Sequence, residues 1–162
     1  MIAYIGFFLI LLAFLNALIL ISSKPLLSRF TPDYDSVILS SSKLLFPLIL
    51  ASFISLIISF LIDDFSLKYV SSNSNSLLPY YYKISATWAG HEGSMLLWCL
   101  VLSFWTFMAS IYSKDLDIDF RLKFLSIMGL LNIGFLAFLI FTSNPFEKNL
   151  SSASAEKLGA KF

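Results

Sequence analysis

The chain has 162 residues, of which 58% are hydrophobic, 17% aromatic and only 13% charged, with a mean hydropathy of +0.84. That is too apolar for a water-soluble domain of this size, whose surface has to carry charge. A formal net charge of +1 provides no field for holding nucleic acid, which needs clustered Lys and Arg, and a single cysteine, Cys99, excludes an intrachain disulfide and a cysteine-based metal site.

Four apolar runs are long enough to cross a hydrocarbon layer of roughly 30 Å, which takes about 20 residues at helical rise. They are Ile2–Ile21, Leu44–Ile62, Ser94–Tyr112 and Phe124–Phe141. Lipid offers the backbone no hydrogen-bond partners, so each run is expected to be a helix. The fold class is an all-α integral membrane protein, a four-helix transmembrane domain over residues 1–150. The first run has no basic region before it and no small-residue cleavage site after it, so it reads as an anchor rather than a secretory signal.

The connectors distribute charge unevenly. Lys24, Arg29 and Lys43 precede the second span, and Lys114, Arg121 and Lys123 lie between the third and fourth. The longer connector between the second and third spans carries only Lys68 and Lys83, which places it and both termini on the outer side. Lys148, Lys157 and Lys161 near the C-terminus oppose that assignment. Ser71 to Ser76 reads as exposed loop. Tyr80, Tyr81, Tyr82 and Trp88 are expected along the outer headgroup layer, with Pro79 suited to a first helical turn. In the fourth span Gly129, Asn132 and Gly134 permit close helix approach. Residues 151–162 read as a flexible polar tail.

The segment Ala86 to Trp98 contains the only histidine, His91, beside Glu92, between Gly90 and Gly93, with two of the three tryptophans, Trp88 and Trp98. A zinc-protease helix needs a second histidine at position 95, which is Met. A Ser-His-acid triad through Ser94 lacks the glycine pattern of a nucleophile elbow. A lone histidine supplies one axial bond to a haem iron and no more. If the segment is helical, Trp88, His91, Met95, Trp98, Leu102 and Trp105 share one face. Such a stripe would suit the face of a porphyrin, but most aromatic stripes at helical spacing are ordinary packing, and that reading is preferred here. The glycines allow a ligand or a neighbouring helix to approach, or mark a bend. Glu92 near a helix start interacts favourably with the helix dipole. Asp63 and Asp64 mark the exit of the second span into water. The span cores hold no Asp, Glu, Lys or Arg, which disfavours an ion or small-molecule transporter acting through this chain alone.

Several irregular motifs together resemble the N-terminal part of the CcmF-type cytochrome c haem lyases: Asp63 to Ser76, Leu78-Pro79, Ala86 to Trp98, and Phe141 to Phe146. The resemblance covers roughly residues 1–150. It departs from the family at Trp88-Ala89-Gly90, where Trp-Gly-Ala or Trp-Gly-Gly is usual. It implies cytochrome c-type biogenesis in a bacterial cytoplasmic membrane or a mitochondrial inner membrane. Haem would pass from a haem chaperone to an apocytochrome c, with the remainder of the lyase or a second lyase subunit as partner. The family's Trp-rich segment and haem-ligating histidines lie beyond the matched portion, so activity is expected to require that remainder. No catalytic residue and no haem ligand carries over. Trp88, Gly90, His91, Glu92, Gly93, Ser94 and Trp98 match a family motif near the outer face, with a structural or partner-facing role and a possible contact to haem. The alternative reading is a non-catalytic structural subunit of a respiratory complex.

Overall fold

The computed structural model describes residues 2–22 and 33–149. The polar tail 151–162, and Lys24 and Arg29 of the first connector, lie outside the described residues. Four helices are long and apolar enough to span a membrane: α1 (Ile2–Ile21), α2 (Tyr34–Leu61), α5 (His91–Tyr112) and α6 (Ile118–Phe141). Two short helices, α3 (Lys68–Asn73) and α4 (Tyr80–Ala86), lie between α2 and α5. The long helices form a closed antiparallel bundle in which α1 packs on α2, α2 on α5, α5 on α6 and α6 back on α1. The protein is an all-α integral membrane protein.

Three helices begin earlier than their apolar runs. α2 starts at Tyr34 rather than Leu44, α5 at His91 rather than Ser94, and α6 at Ile118 rather than Phe124. Hydropathy marks the stretch that suits hydrocarbon, whereas a helix begins at its cap. Asp117 caps α6 by accepting from the amides of Asp119 and Phe120 at 3.1 and 3.3 Å.

The buried faces are made of small and polar residues as well as Leu and Ile, because lipid tails are as apolar as the core and burial of apolar surface drives association only weakly. α1 buries Gly6, Ala13, Asn16 and Ala17, and α5 buries Gly93, Cys99, Ser103, Thr106 and Ser110. Polar side chains tie neighbouring helices: Asn16 Nδ2 donates to the Ser41 carbonyl at 2.8 Å, Ser52 Oγ to the Gly6 carbonyl at 2.9 Å, and Asn132 Nδ2 to Thr106 Oγ1 at 2.9 Å. Gly129 lets α6 approach α1, since a Cβ there would lie 2.6 Å from Leu20 Cβ. Gly134 does not serve that purpose: a Cβ there meets nothing within 4 Å.

One end of the bundle is capped. Residues 62–90 fold over it and the segment after α6 joins them through an isolated bridge between Leu67 and Lys148. The Lys68 amide donates to the Glu147 carbonyl at 3.0 Å and the Asn149 amide to the Ser66 carbonyl at 2.8 Å. Phe146 is buried and its ring fills the space left by the missing side chain of Gly6. The N-terminal end of α1 and the segment 142–149 therefore share this end. The opposite end is closed by Arg121, whose Nε donates to Ser113 Oγ at 2.9 Å and whose Nη2 donates to the Ser110 carbonyl. It thereby satisfies the Ser110 carbonyl, one of those that the C-terminus of α5 leaves without a helical partner.

Candidate functional site

The expected loop at Ser71 to Ser76 is in part helical, because Tyr69 and Val70 of α3 are buried under the cap and their packing overrides weak helix propensity. Tyr69 is the centre of the cap. Its ring stands edge-on to Phe60 at 5.4 Å, and its hydroxyl donates to the Thr87 carbonyl at 3.0 Å while accepting from the Gly90 amide at 3.0 Å. Burial pushes the phenol above its ordinary value, hydrogen bonds from the Gly90 and Gly93 backbone oppose this, and the charge of Glu92 adds to it. The hydroxyl is therefore protonated at neutral pH, as the hydrogen bond to Thr87 requires.

This arrangement explains both glycines of the motif. A Cβ on Gly90 would lie 2.7 Å from Tyr69 Cε2, and one on Gly93 would overlap the Thr87 carbonyl oxygen and lie 2.5 Å from Tyr69 Oη. What approaches the bare backbone is Tyr69 and the preceding turn of the same chain. A second clamp holds α4: the buried ammonium of Lys83 meets both carboxylate oxygens of Asp63 at 2.6 Å. Asp63 has φ 56°, a left-handed conformation that Asp and Asn tolerate better than most residues. The exit from α2 is thus an ion-paired turn rather than a simple end in water.

The proposed six-residue stripe is split by the structure. Trp88 lies in the turn between α4 and α5, outside the helix, because the chain turns at residues 87–90 before α5 starts. His91, Met95, Trp98, Leu102 and Trp105 remain on α5. This face is not buried within the chain: Trp98 and Trp105 are 58% and 59% exposed, and His91 is exposed. Apart from Leu96, the residues that α5 buries are small, and its tryptophans turn outward. Glu92 lies in the first turn of α5, the position favoured by the helix dipole, and makes no hydrogen bond or ion pair among the described residues. Ser94 Oγ donates to the His91 carbonyl at 3.0 Å, a local bond that leaves no nucleophile geometry.

His91 is held from two sides. Buried Ser143, in the segment after α6, places its Oγ 2.9 Å from Nδ1, and the ring stands edge-on to Phe138 at 5.9 Å. From the imidazole an open groove of about 450 Å³ runs between α5 and α6, lined by His91, Met95, Leu130, Leu131, Gly134, Phe135 and Phe138. The space beside Gly134 is part of it. Among the described residues no three His, Cys, Asp or Glu side chains cluster as a metal site. Sequence reasoning missed Tyr69, Asp63 with Lys83, and Ser143. The paired glycines were the one signal that something approaches closely, and nothing local indicated what.

The protein family described as Cytochrome C assembly protein matches residues 88–158. The chain is 43% identical to the cytochrome c-type biogenesis protein CcmF of Escherichia coli (strain K12) over 126 residues, 75% of this chain and 20% of that protein. It is 40% identical to the cytochrome c-type biogenesis protein NrfE of Haemophilus influenzae over 151 residues, 91% of this chain and 24% of that protein. A solved structure of a cytochrome c haem lyase CcmF superposes with a TM-score of 0.81 at 28% identity, over 91% of this chain and 25% of that one. The chain thus spans about a fifth to a quarter of the length of these relatives. They point to cytochrome c biogenesis and give no support to a respiratory-complex subunit. Sequence and fold together make the chain a member of the CcmF-type cytochrome c haem lyase family, of which it spans a part.

Proposed function

We propose that this chain is a membrane-embedded part of a cytochrome c haem lyase of the bacterial inner membrane, supplying a single four-helix unit over residues 1–150. It acts with the remainder of the lyase, or a second lyase subunit, to pass haem from a haem chaperone to apocytochrome c. Haem is cargo of the complete machine, and this chain contributes no catalytic residue of its own. The observation that carries the reading is that the irregular motifs Asp63 to Ser76, Ala86 to Trp98 and Phe141 to Phe146, far apart in sequence, build one capped end of a bundle whose fold matches a haem lyase with a TM-score of 0.81.

The capped end faces outward in this reading. Lys114, Arg121 and Lys123 lie at the opposite end, whereas Lys83 at the capped end is neutralised by Asp63. Gly90 and Gly93 have a structural role in seating Tyr69, while Trp88, His91 and Trp98 present the outward surface to partners. Affinity purification of the chain from native membranes tests the reading. Co-purifying haem-maturation proteins are expected, and oxidase or dehydrogenase subunits in their place overturn it.

A further inference from the structure

α5 turns outward a row of side chains that contact with lipid does not explain. His91, Trp98, Trp105 and Tyr112 recur every seven residues and are all exposed, and Met95, Leu102 and Ala109 fill the half-buried positions between them. Alternating steps of four and three residues make the seam along which one helix packs on another. On α6 the same spacing gives Phe124, Ile127, Leu131, Gly134, Phe138 and Phe141, every one of them exposed. Resting on the haem-lyase reading, we propose that this α5–α6 face is where a membrane-spanning helix from the rest of the lyase docks, lying in the furrow between the two helices and supplying hydrogen-bond acceptors to Trp98 and Trp105.

Three observations favour a helix over lipid as the occupant. The first is the depth of the indoles. α5 has 22 residues, about 33 Å at helical rise, which matches a hydrocarbon layer of roughly 30 Å. Trp98 and Trp105 stand seven residues in from His91 and from Tyr112, about 10 Å inside either boundary. Tryptophan that faces lipid belongs at the headgroup belts, where its N–H finds a partner. Neither indole N–H has a hydrogen-bond partner among the described residues, and acyl chains offer no acceptor at that depth. By contrast, large exposed side chains within α1 and α2, such as Phe8, Leu15, Ile54 and Ile58, carry no polar atom.

The second is Gly134. A Cβ at Gly6, Gly90, Gly93 or Gly129 would run into other parts of this chain, whereas one at Gly134 meets nothing within 4 Å. Glycine weakens a helix relative to alanine, and small residues in lipid-embedded helices serve the close approach of a second backbone. With no part of this chain beside Gly134, that backbone comes from outside. Gly134 stands seven residues from the capped end of α6 at Phe141, level with Trp98. The third is the length of the furrow. Beyond the groove of about 450 Å³ near His91, a second of about 360 Å³ lies beside Trp105, Met108, Ala109, Tyr112, Phe124 and Met128. Together they run from the level of His91 to that of Tyr112, whereas an acyl chain entering from one headgroup layer reaches only the midplane, about 15 Å in. The relatives show that such a partner exists: this chain spans about a fifth to a quarter of their length, which leaves most of a lyase to pack against this bundle.

The test places a photoreactive benzophenone side chain at Leu102 on α5 or Leu131 on α6 and, as controls, at Phe8 on α1 or Ile54 on α2, in the full chain, in cells that carry the rest of the lyase. On irradiation of their membranes, Leu102 and Leu131 are expected to cross-link to a membrane-spanning peptide of a haem-maturation protein, and Phe8 and Ile54 to lipid. Trp98→Phe, which removes the N–H and keeps an aromatic ring, should lower the yield from Leu131 about fivefold, the worth of one typical hydrogen bond. Gly134→Leu, which fills the open space, should abolish the cross-link from Leu102, with the thermal midpoint of the purified chain unchanged in both variants. Cross-links from Leu102 and Leu131 to lipid alone or to a second copy of this chain overturn the docking face, as do unchanged yields in both variants. If haem-maturation proteins co-purify with the chain but cross-link only from Phe8 or Ile54, the face is wrong while the haem-lyase reading stands. If none co-purifies, that reading fails and the docking face with it.

Discussion

Tyr69→Phe removes one oxygen from the cap and leaves the ring against Phe60. The Thr87 carbonyl then loses its donor and the Gly90 amide its acceptor, both at 3.0 Å. A typical internal hydrogen bond contributes about 0.5–1.5 kcal/mol net, and a buried group left without a partner costs about 1–3 kcal/mol. Tyr69 is 3% exposed, so water cannot readily replace the hydroxyl. The two losses together come to about 2 kcal/mol, or roughly a thirtyfold shift toward the opened cap, since about 1.4 kcal/mol is a factor of ten. Hydrogen–deuterium exchange of peptides covering residues 86–95, in nanodiscs, reads this directly. Exchange there should accelerate about thirtyfold, with the middle of α2 unchanged. Exchange at the level of the original chain would refute the assignment of Tyr69 as the residue that locks the start of α5.

The same hydroxyl sets a pH limit. Because burial raises its pKa above the ordinary value near 10, the folded cap holds the proton more tightly than the opened one. Stability from this group is full below pH 10 and falls as pH rises through the raised value. Exchange at residues 86–95 should therefore accelerate above about pH 10, beyond the intrinsic rate, in the original chain and not in Tyr69→Phe. Asp63→Asn keeps a residue that tolerates the left-handed backbone and leaves the buried Lys83 ammonium without its counter-charge. Removing one partner of a buried pair costs about 3–5 kcal/mol, and the partly exposed Asp63 side of this pair argues for the lower end. A fall in the thermal midpoint in detergent is expected, and an unchanged midpoint would show that the pair contributes little. Gly129→Ala should destabilise the bundle by about 1–3 kcal/mol through overlap with Leu20. Gly134→Ala should be neutral or stabilising by up to about 1 kcal/mol; equal midpoints for the two would contradict the distinction between closed crossing and open groove.

The four spans were legible because hydropathy responds to the hydrocarbon layer itself, but helix starts were not. Tyr34, His91 and Ile118 begin helices whose first turns are polar, so only caps such as Asp117 mark them. The stripe from Trp88 failed at one place, since helical spacing cannot reveal that residues 87–90 turn the chain before α5. The motif around His91 identified the family, but its partners could not be read. Tyr69 and Ser143 are 21 and 52 residues away from the groups they bind, in stretches with no distinguishing pattern. Long-range side-chain bonds of this kind leave no periodic trace. They arise because the antiparallel bundle brings the ends of α2, α5 and α6 to one end of the molecule.

Covalent haem attachment in cells tests the central claim most directly. A strain lacking this chain, with every other haem-maturation component present, should accumulate apocytochrome c and lose haem-stained cytochrome c, and the chain supplied in trans should restore it. Wild-type levels of haem-stained cytochrome c in its absence would contradict the assignment of this chain to the lyase.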